Sequence, residues 1–148
     1  MAEFILTQEE ADALLAMEKH RVNDDLHKFP KQGQKIKIKL RSVDDREGFW
    51  LDINRASVDL SKLTYQNRAR EVVKLVRLDF GGPPHTNPDG EEISTPHLHV
   101  YRENYGDRWA IPLPEEQFND LADTWTTLQD FMGFCQITEP PRLIKVML

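Results

Sequence analysis

The sequence predicts an α+β fold: a largely antiparallel sheet of about five or six strands, with an N-terminal and a C-terminal helix packed on one face. Three observations carry that prediction. Apolar residues recur at spacings of three and four near both ends, they alternate singly with polar residues through the middle, and clusters of Gly, Pro, Asn and Asp separate the alternating runs. Helical stripes flanking an alternating centre suit an architecture in which helices cover the apolar side of a single sheet. At 148 residues the chain is expected to form one domain over 1–148 with one sizeable core.

Thr7 with Glu10 three residues on is a capping-box start, and Ala11, Leu14, Leu15 and Met17 follow at helical spacing, so the first helix is expected from Gln8 to Arg21. After the turn-prone Phe29-Pro30-Lys31-Gln32-Gly33, Ile36, Ile38 and Leu40 alternate with Lys35, Lys37, Lys39 and Arg41, a half-buried strand with a basic face. Asp44 to Gly48 reads as a hairpin turn into a second strand, with Phe49, Leu51 and Ile53 inward and Trp50, Asp52 and Asn54 outward. Val58–Leu60 suggests a short third strand. Tyr65–Arg70 reads as a polar, basic connector into Glu71–Phe80, whose apolar residues fall on both faces as in a central strand. The Gly- and Pro-rich loop after it is expected at the surface, without regular pairing. Pro96–Arg102 and Trp109–Leu113 read as a hairpin. Pro114 suits the first turn of the last helix, whose stripe is Phe118, Leu121, Trp125, Leu128 and Met132. Thr138–Leu148 is a tail ending in an edge strand.

The net charge of -6 conceals an uneven distribution. Residues 28–77 carry thirteen Lys and Arg against six Asp and Glu, whereas residues 1–27 carry two against seven and residues 78–148 four against twelve. A basic centre between acidic ends points to a polyanion partner, or to ion pairing between segments. No window approaches the run of about eighteen apolar residues that spans a bilayer, and the N-terminal stretch is acidic, so no membrane association and a cytoplasmic location are expected. Cys135 is the one cysteine; it has no adjacent cation to activate it and is expected to be a small core residue.

Three of the five histidines lie within fifteen residues, His85, His97 and His99. A strand over 97–103 places His97, His99, Tyr101 and Glu103 on one face and Leu98 and Val100 on the other. With Lys35, Lys37, Lys39, Asp52, Asn54, Arg77, Asp79 and Arg108 these residues would line one open surface. The spacing predicts His97 and His99 to be partly exposed and within reach of Arg77 or Arg68. The first chemistry this suggests is metal-independent cleavage of RNA through its 2′-hydroxyl, needing no cofactor. Histidines supply base and acid near neutral pH, and Arg or Lys stabilises the charge that develops on the phosphate. The catalytic set is then His85, His97, His99, Arg77 and Tyr101, with Lys35, Lys37, Lys39, Arg68 and Arg70 tracking the RNA backbone and Tyr65, Tyr101 or Trp50 stacking a base. A second reading is a non-enzymatic module or inhibitor that occupies a protein or nucleic-acid partner. A third is a metal site, in which His-x-His presents two imidazoles to one ion and His85 or Glu103 completes the set. There is no phosphate-cradling Gly loop, Ser-His-Asp order or Cys-based metal motif.

These residues carry two resemblances. Leu51–Arg55, Tyr65–Arg70, Arg77–His85 and Pro96–Tyr101, with their RLDFGGPPH and PHLHVY runs, resemble a small family of bacterial and prophage proteins of unknown function. More distantly, Arg77-x-Asp79, Pro84-His85 and Pro96-His97-x-His99 are similar to the pattern of TumE-like toxins of toxin–antitoxin modules. That likeness implies a small sheet with helices, action on RNA and a cognate antitoxin as partner. His97-x-His99-x-x-x-Glu103 also looks like the first metal motif of cupins, but the second cupin motif is absent.

Overall fold

A computed structural model describes residues 6–57 and 62–145. In chain order its elements begin with α1 (Gln8–Ala16), β1 (Lys19–Arg21), β2 (Leu26–Lys28), β3 (Lys35–Ser42), β4 (Gly48–Arg55), β5 (Leu63–Ala69) and β6 (Val73–Asp79). They continue with β7 (His85–Thr86), β8 (Glu92–Ile93), β9 (His97–Val100), β10 (Ala110–Pro112), α2 (Thr124–Phe134), β11 (Ile137–Glu139) and β12 (Arg142–Ile144). The fold is α+β. Its main sheet has eight strands rather than five or six, ordered β10-β9-β6-β5-β4-β3-β1-β11, and two two-stranded pairs, β12-β2 and β7-β8, stand beside it. Adjacent strands of the main sheet run antiparallel except β1 and β11.

The strongest alternation makes the centre. Ile38 and Leu40 of β3 and Phe49, Leu51 and Ile53 of β4 are buried, while Lys35, Lys37 and Lys39 are exposed on the opposite side. Each large apolar side chain so buried stabilises the fold by about 1.5–3 kcal/mol. Tyr65–Arg70, expected as a connector, belongs instead to β5 and the turn after it. Leu63, Tyr65, Asn67 and Ala69 point into the core and Thr64, Gln66 and Arg68 point away. Asn67 on the apolar side disguises the alternation; its Nδ2 donates to the Trp50 carbonyl at 3.1 Å. In β6 the pairing shifts by one residue opposite Asn67 and Arg68, leaving Leu75 as an inserted bulge residue. Lys74 before the bulge and Arg77 and Asp79 after it then all lie on the polar side.

Leu14 and Ala11 of α1 and Leu128, Phe131 and Met132 of α2 share one core cluster with the buried side chains of β3 to β6. The Tyr65 hydroxyl, beneath α2, donates to the Thr124 carbonyl at 2.7 Å. The capping box at Thr7 and Glu10 forms, but α1 stops at Ala16 instead of Arg21. The chain passes from there into β1, because Lys19 turns inward. Fully buried, its ammonium donates to the carbonyls of Leu15 at 2.9 Å, Met17 at 2.8 Å and Cys135 at 2.7 Å, and lies 4.8 Å over the Phe49 ring. Burial draws this group down to about 8.

The last helix starts at Thr124, ten residues after Pro114, because Asp123 caps it by accepting from the Trp125 amide at 3.1 Å. Cys135 closes that helix, fully buried, and burial pushes its thiol up to about 12. The tail supplies β11 and β12, paired in parallel with β1 and β2. The short strand expected at Val58–Leu60 lies outside the described residues.

Candidate functional site

The register of the main sheet carries the polar side chains into three rows. Lys35, Asn54, Thr64, Asp79 and His97 are successive cross-strand partners from β3 to β9, and Lys37, Asp52, Gln66, Arg77 and His99 form the adjacent row. Lys39, Trp50, Arg68 and Lys74 make a third, shorter row. Side chains directly opposite on one face lie within contact range, so the rows are chains of neighbours. The first two floor a cavity of about 580 Å³, walled by Lys62 and by the segment Gly81, Pro83, Pro84 and His85.

That segment is not the unpaired surface loop expected from its glycines and prolines. Its β7-β8 hairpin folds back over the end of β9. Asn87, buried in the turn, clamps the hairpin to the sheet: its Nδ2 donates to the Ala110 carbonyl at 2.9 Å and its Oδ1 accepts from the Ala110 amide at 2.8 Å. The His85 ring lies 4.6 Å from the His99 ring, and its Nε2 meets the Arg108 carbonyl at 2.7 Å.

Under this cover His97 and His99 are buried, each 2% exposed, where the sequence predicted partial exposure. Both rings are oriented by backbone carbonyls. His97 Nδ1 faces the carbonyls of Ile93 at 3.2 Å and Ser94 at 3.3 Å, and His99 Nδ1 faces that of Asp107 at 2.9 Å. A carbonyl only accepts, so both Nδ1 atoms carry hydrogen and both Nε2 atoms turn to the cavity side. There they meet one carboxylate oxygen: Asp79 Oδ2 lies 3.3 Å from His97 Nε2 and 3.2 Å from His99 Nε2, and the two Nε2 atoms are 3.1 Å apart.

Arg77 holds the carboxylate in place, with Nε 3.0 Å from Asp79 Oδ1 and Nη2 3.3 Å from Oδ2, while its Nη1 reaches Asp107 Oδ2 at 3.0 Å. Burial works against the Asp79 carboxylate, yet the hydrogen bond with His99 and the Arg77 guanidinium hold it at about 2. Burial, with the neighbouring His99, lowers His97 below the usual histidine range.

Several expected members stand elsewhere. Tyr101 falls beyond the end of β9 and turns into the core, its hydroxyl donating to the Leu6 carbonyl at 2.9 Å. Glu103 accepts from the Gln8 amide at 2.7 Å, at the start of α1. Arg68 grips Asp52, with Nη2 2.8 Å from Oδ1, and Arg70 pairs with Glu47 at 2.8 Å in the turn after β5, so the two guanidiniums expected on a nucleic-acid backbone are engaged within the protein. Tyr65 is buried in the core and is not a stacking platform. Lys35, Lys37, Lys39 and Lys62 are exposed and make no ion pair with any other described residue. Asp79 is the member that sequence reasoning left out of the reacting set; the signal for it was Arg77-x-Asp79 at the polar end of an apolar strand.

Fold and site together define an α+β protein with a basic sheet face and a covered histidine–aspartate cluster at one end of it. The chain belongs to the family of unknown function DUF6978, whose model matches residues 6–137. No curated protein and no solved structure matches it. Among the described residues no helix is long and apolar enough to cross a membrane.

Proposed function

We propose that the polar sheet face is a nucleic-acid site, at which a single-stranded RNA is bound and cleaved beside His97, His99 and Asp79. The observation that carries this reading is the run of exposed lysines at alternate positions of β3, Lys35, Lys37 and Lys39, on the same face as the cluster, the first two joined to it by continuous cross-strand rows. Alternate residues of a strand are about 6.8 Å apart, so the three ammoniums form a graded track for successive phosphates of an extended backbone. Trp50, half-buried in the third row with the Arg68 guanidinium 5.4 Å from its ring, offers a stacking surface beside that track. Because the buried side chains of both helices join the core cluster with the inward residues of β3 to β6, the opposite, lysine-bearing face is proposed as the one open to a strand. The likeness of Arg77-x-Asp79, Pro84-His85 and Pro96-His97-x-His99 to TumE-like toxins agrees with action on RNA.

Cleavage transfers the phosphorus from the 5′ to the 2′ oxygen. The 2′-hydroxyl gives its proton to the cluster, its oxygen bonds to phosphorus, the P–O5′ bond breaks, and the 5′ oxygen takes a proton from solvent in the cavity. Separate base and acid roles for His97 and His99 do not suit the geometry. Their Nε2 atoms, 3.1 Å apart on one carboxylate, address one point instead of the two ends of an in-line displacement. His85, beside His99, and Arg77, which fixes Asp79, complete the set.

The test is incubation of the purified chain with single-stranded RNA and with its 2′-deoxy counterpart, read on a gel. Cleavage of the ribose form alone is expected, with a rate about 10²–10⁴-fold lower in His99→Gln. Absence of cleavage, together with RNA affinity that does not depend on salt, would overturn the proposal.

A further inference from the structure

We propose that His97 Nε2, His99 Nε2 and Asp79 Oδ2 are the protein ligands of a mononuclear divalent transition-metal centre that keeps open coordination positions toward the cavity. The three donor atoms are 3.1, 3.2 and 3.3 Å apart. An ion about 2.0–2.2 Å from each of three such donors requires separations of about 3.0–3.4 Å, the shorter values for octahedral and the longer for tetrahedral coordination. The triangle therefore has the size of one face of a coordination polyhedron.

The surroundings support the same assignment. Each imidazole donates its Nδ1 hydrogen to a backbone carbonyl, so Nε2 offers a lone pair once an ion displaces any proton shared with Asp79, and this outer hydrogen bond is the usual orienting partner of a metal-bound histidine. Two lone pairs and an anionic oxygen in mutual contact repel one another unless positive charge lies among them. A single proton bridges only one edge of the triangle, whereas a metal ion satisfies all three donors. Asp79 is itself held by Arg77, most closely through Oδ1 at 3.0 Å and at longer range through Oδ2 at 3.3 Å, so the carboxylate is fixed in orientation with Oδ2 turned to the two imidazoles. The backbone enforces the set as well: Asp79 and His97 are directly paired across β6 and β9, and His99 stands two residues along on the same face. Three protein donors at the wall of an open cavity correspond to a reactive centre, in contrast to a closed structural site with four. Two imidazoles and one carboxylate suit zinc, iron(II), cobalt(II) or manganese(II), and disfavour magnesium and calcium, which take all-oxygen sets.

The metal occupies the same three atoms that the RNA reading uses as proton acceptor, so the proposed cleavage step belongs to the metal-free protein; metal binding is tested separately from it, because it is measured with metal alone. The chelator-treated full chain is titrated with Co²⁺ and monitored by visible ligand-field absorption, then with Zn²⁺ in competition. One equivalent of Co²⁺ is expected to give bands that Zn²⁺ abolishes, and Zn²⁺ is expected to raise the melting temperature. His97→Gln, His99→Gln and Asp79→Asn are each expected to weaken binding by at least 100-fold, while His20→Ala and His27→Ala leave it unchanged. Circular dichroism separates a lost ligand from a lost fold; should one buried variant unfold, the remaining two and the wild-type stoichiometry still decide. Binding in folded variants equal to wild type, binding that tracks with His20 or His27, or no ligand-field bands in the wild type overturns the inference. Metal binding without RNA cleavage leaves it standing and removes only the cleavage step of the nucleic-acid reading.

Discussion

Replacing Lys19 by Met keeps the length and the apolar packing of the side chain but deletes the ammonium that three carbonyls surround. The carbonyls of Leu15, Met17 and Cys135, each 2.7–2.9 Å from Nζ, join the end of α1 to the end of α2, and Met gives them nothing to accept. Each hydrogen bond to a charged group contributes about 1.5–3 kcal/mol, and relief of the ammonium's burial offsets part of their sum. A net loss of about 3–5 kcal/mol is therefore expected in urea denaturation at pH 7. The same side chain sets a pH dependence of known sign. Its folded value of about 8 lies below the unfolded value of 10.5, so between these the unfolded chain holds a proton that the folded chain has released. Stability contributed by Lys19 then rises with pH, by about 3 kcal/mol over that window at 1.36 kcal/mol per unit. The deficit of Lys19→Met should widen by that amount between pH 8 and 10.5. A deficit under about 1 kcal/mol at pH 7, or one that narrows as pH rises, would refute the reasoning.

Three other perturbations probe the site. In metal-free protein, Asp79→Asn should cost about 2 kcal/mol at pH 5; a carboxylate depressed to about 2 from 3.8 stabilises above the higher value and loses that contribution as pH falls through the lower, so acid denaturation of the pair should converge toward pH 2. Asn87→Ala leaves the buried Ala110 amide and carbonyl without their clamp and should cost about 2–3 kcal/mol, with hydrogen exchange accelerated over residues 85–93 and unchanged in β3 and β4; uniform acceleration would mean that the hairpin is not a separate unit. Changing Lys35, Lys37 and Lys39 together to Ala should reduce the salt slope of single-stranded RNA binding by about 2, at roughly 0.7 per phosphate, with stability altered by no more than about 0.5 kcal/mol. Fluorescence anisotropy at several salt concentrations reads this, and an unchanged slope would take the lysines out of the binding surface.

Much of the polar face was legible because period-two alternation fixes sidedness without any knowledge of strand order. Lys35, Lys37, Asp52, Asn54, His97 and His99 fall on one surface by parity, Arg77 and Asp79 join them as the polar end of an otherwise apolar strand, and all eight line the cavity. Parity says nothing of how far a strand continues, and this is where Tyr101 and Glu103 were misplaced: the chain leaves β9 after Val100, and both side chains serve the start of α1. Nor does it reveal what covers a face. His97 and His99 are buried under the β7-β8 hairpin, whose docking uses Asn87 and His85 in a segment dominated by Gly and Pro. Tyr65–Arg70 reads as a connector for a local reason: Asn67 occupies an inward position and hides the strand. Ion pairing of Arg68 and Arg70 depends on partners sixteen and twenty-three residues away, beyond the reach of local pattern.

The extra residue in β6 has a consequence for what this strand can become. A strand of constant parity that began with Val73 inward would place Arg77 and Asp79 inward as well, beneath the helices, and the cluster would have no carboxylate. Leu75 acts as a half-period phase slip, letting one end of the strand keep time with the core while the other keeps time with the cavity. The two ends are thereby uncoupled: side chains near the slip answer to packing, those beyond it to chemistry, and either group can vary without reassigning the other. Deleting Leu75, which lies outside the cavity lining, would remove the slip together with the residue that requires it: Val73, Val76 and Leu78 would stay inward and Lys74, Arg77 and Asp79 outward, so the strand would lose its bulge and the cavity would keep its carboxylate.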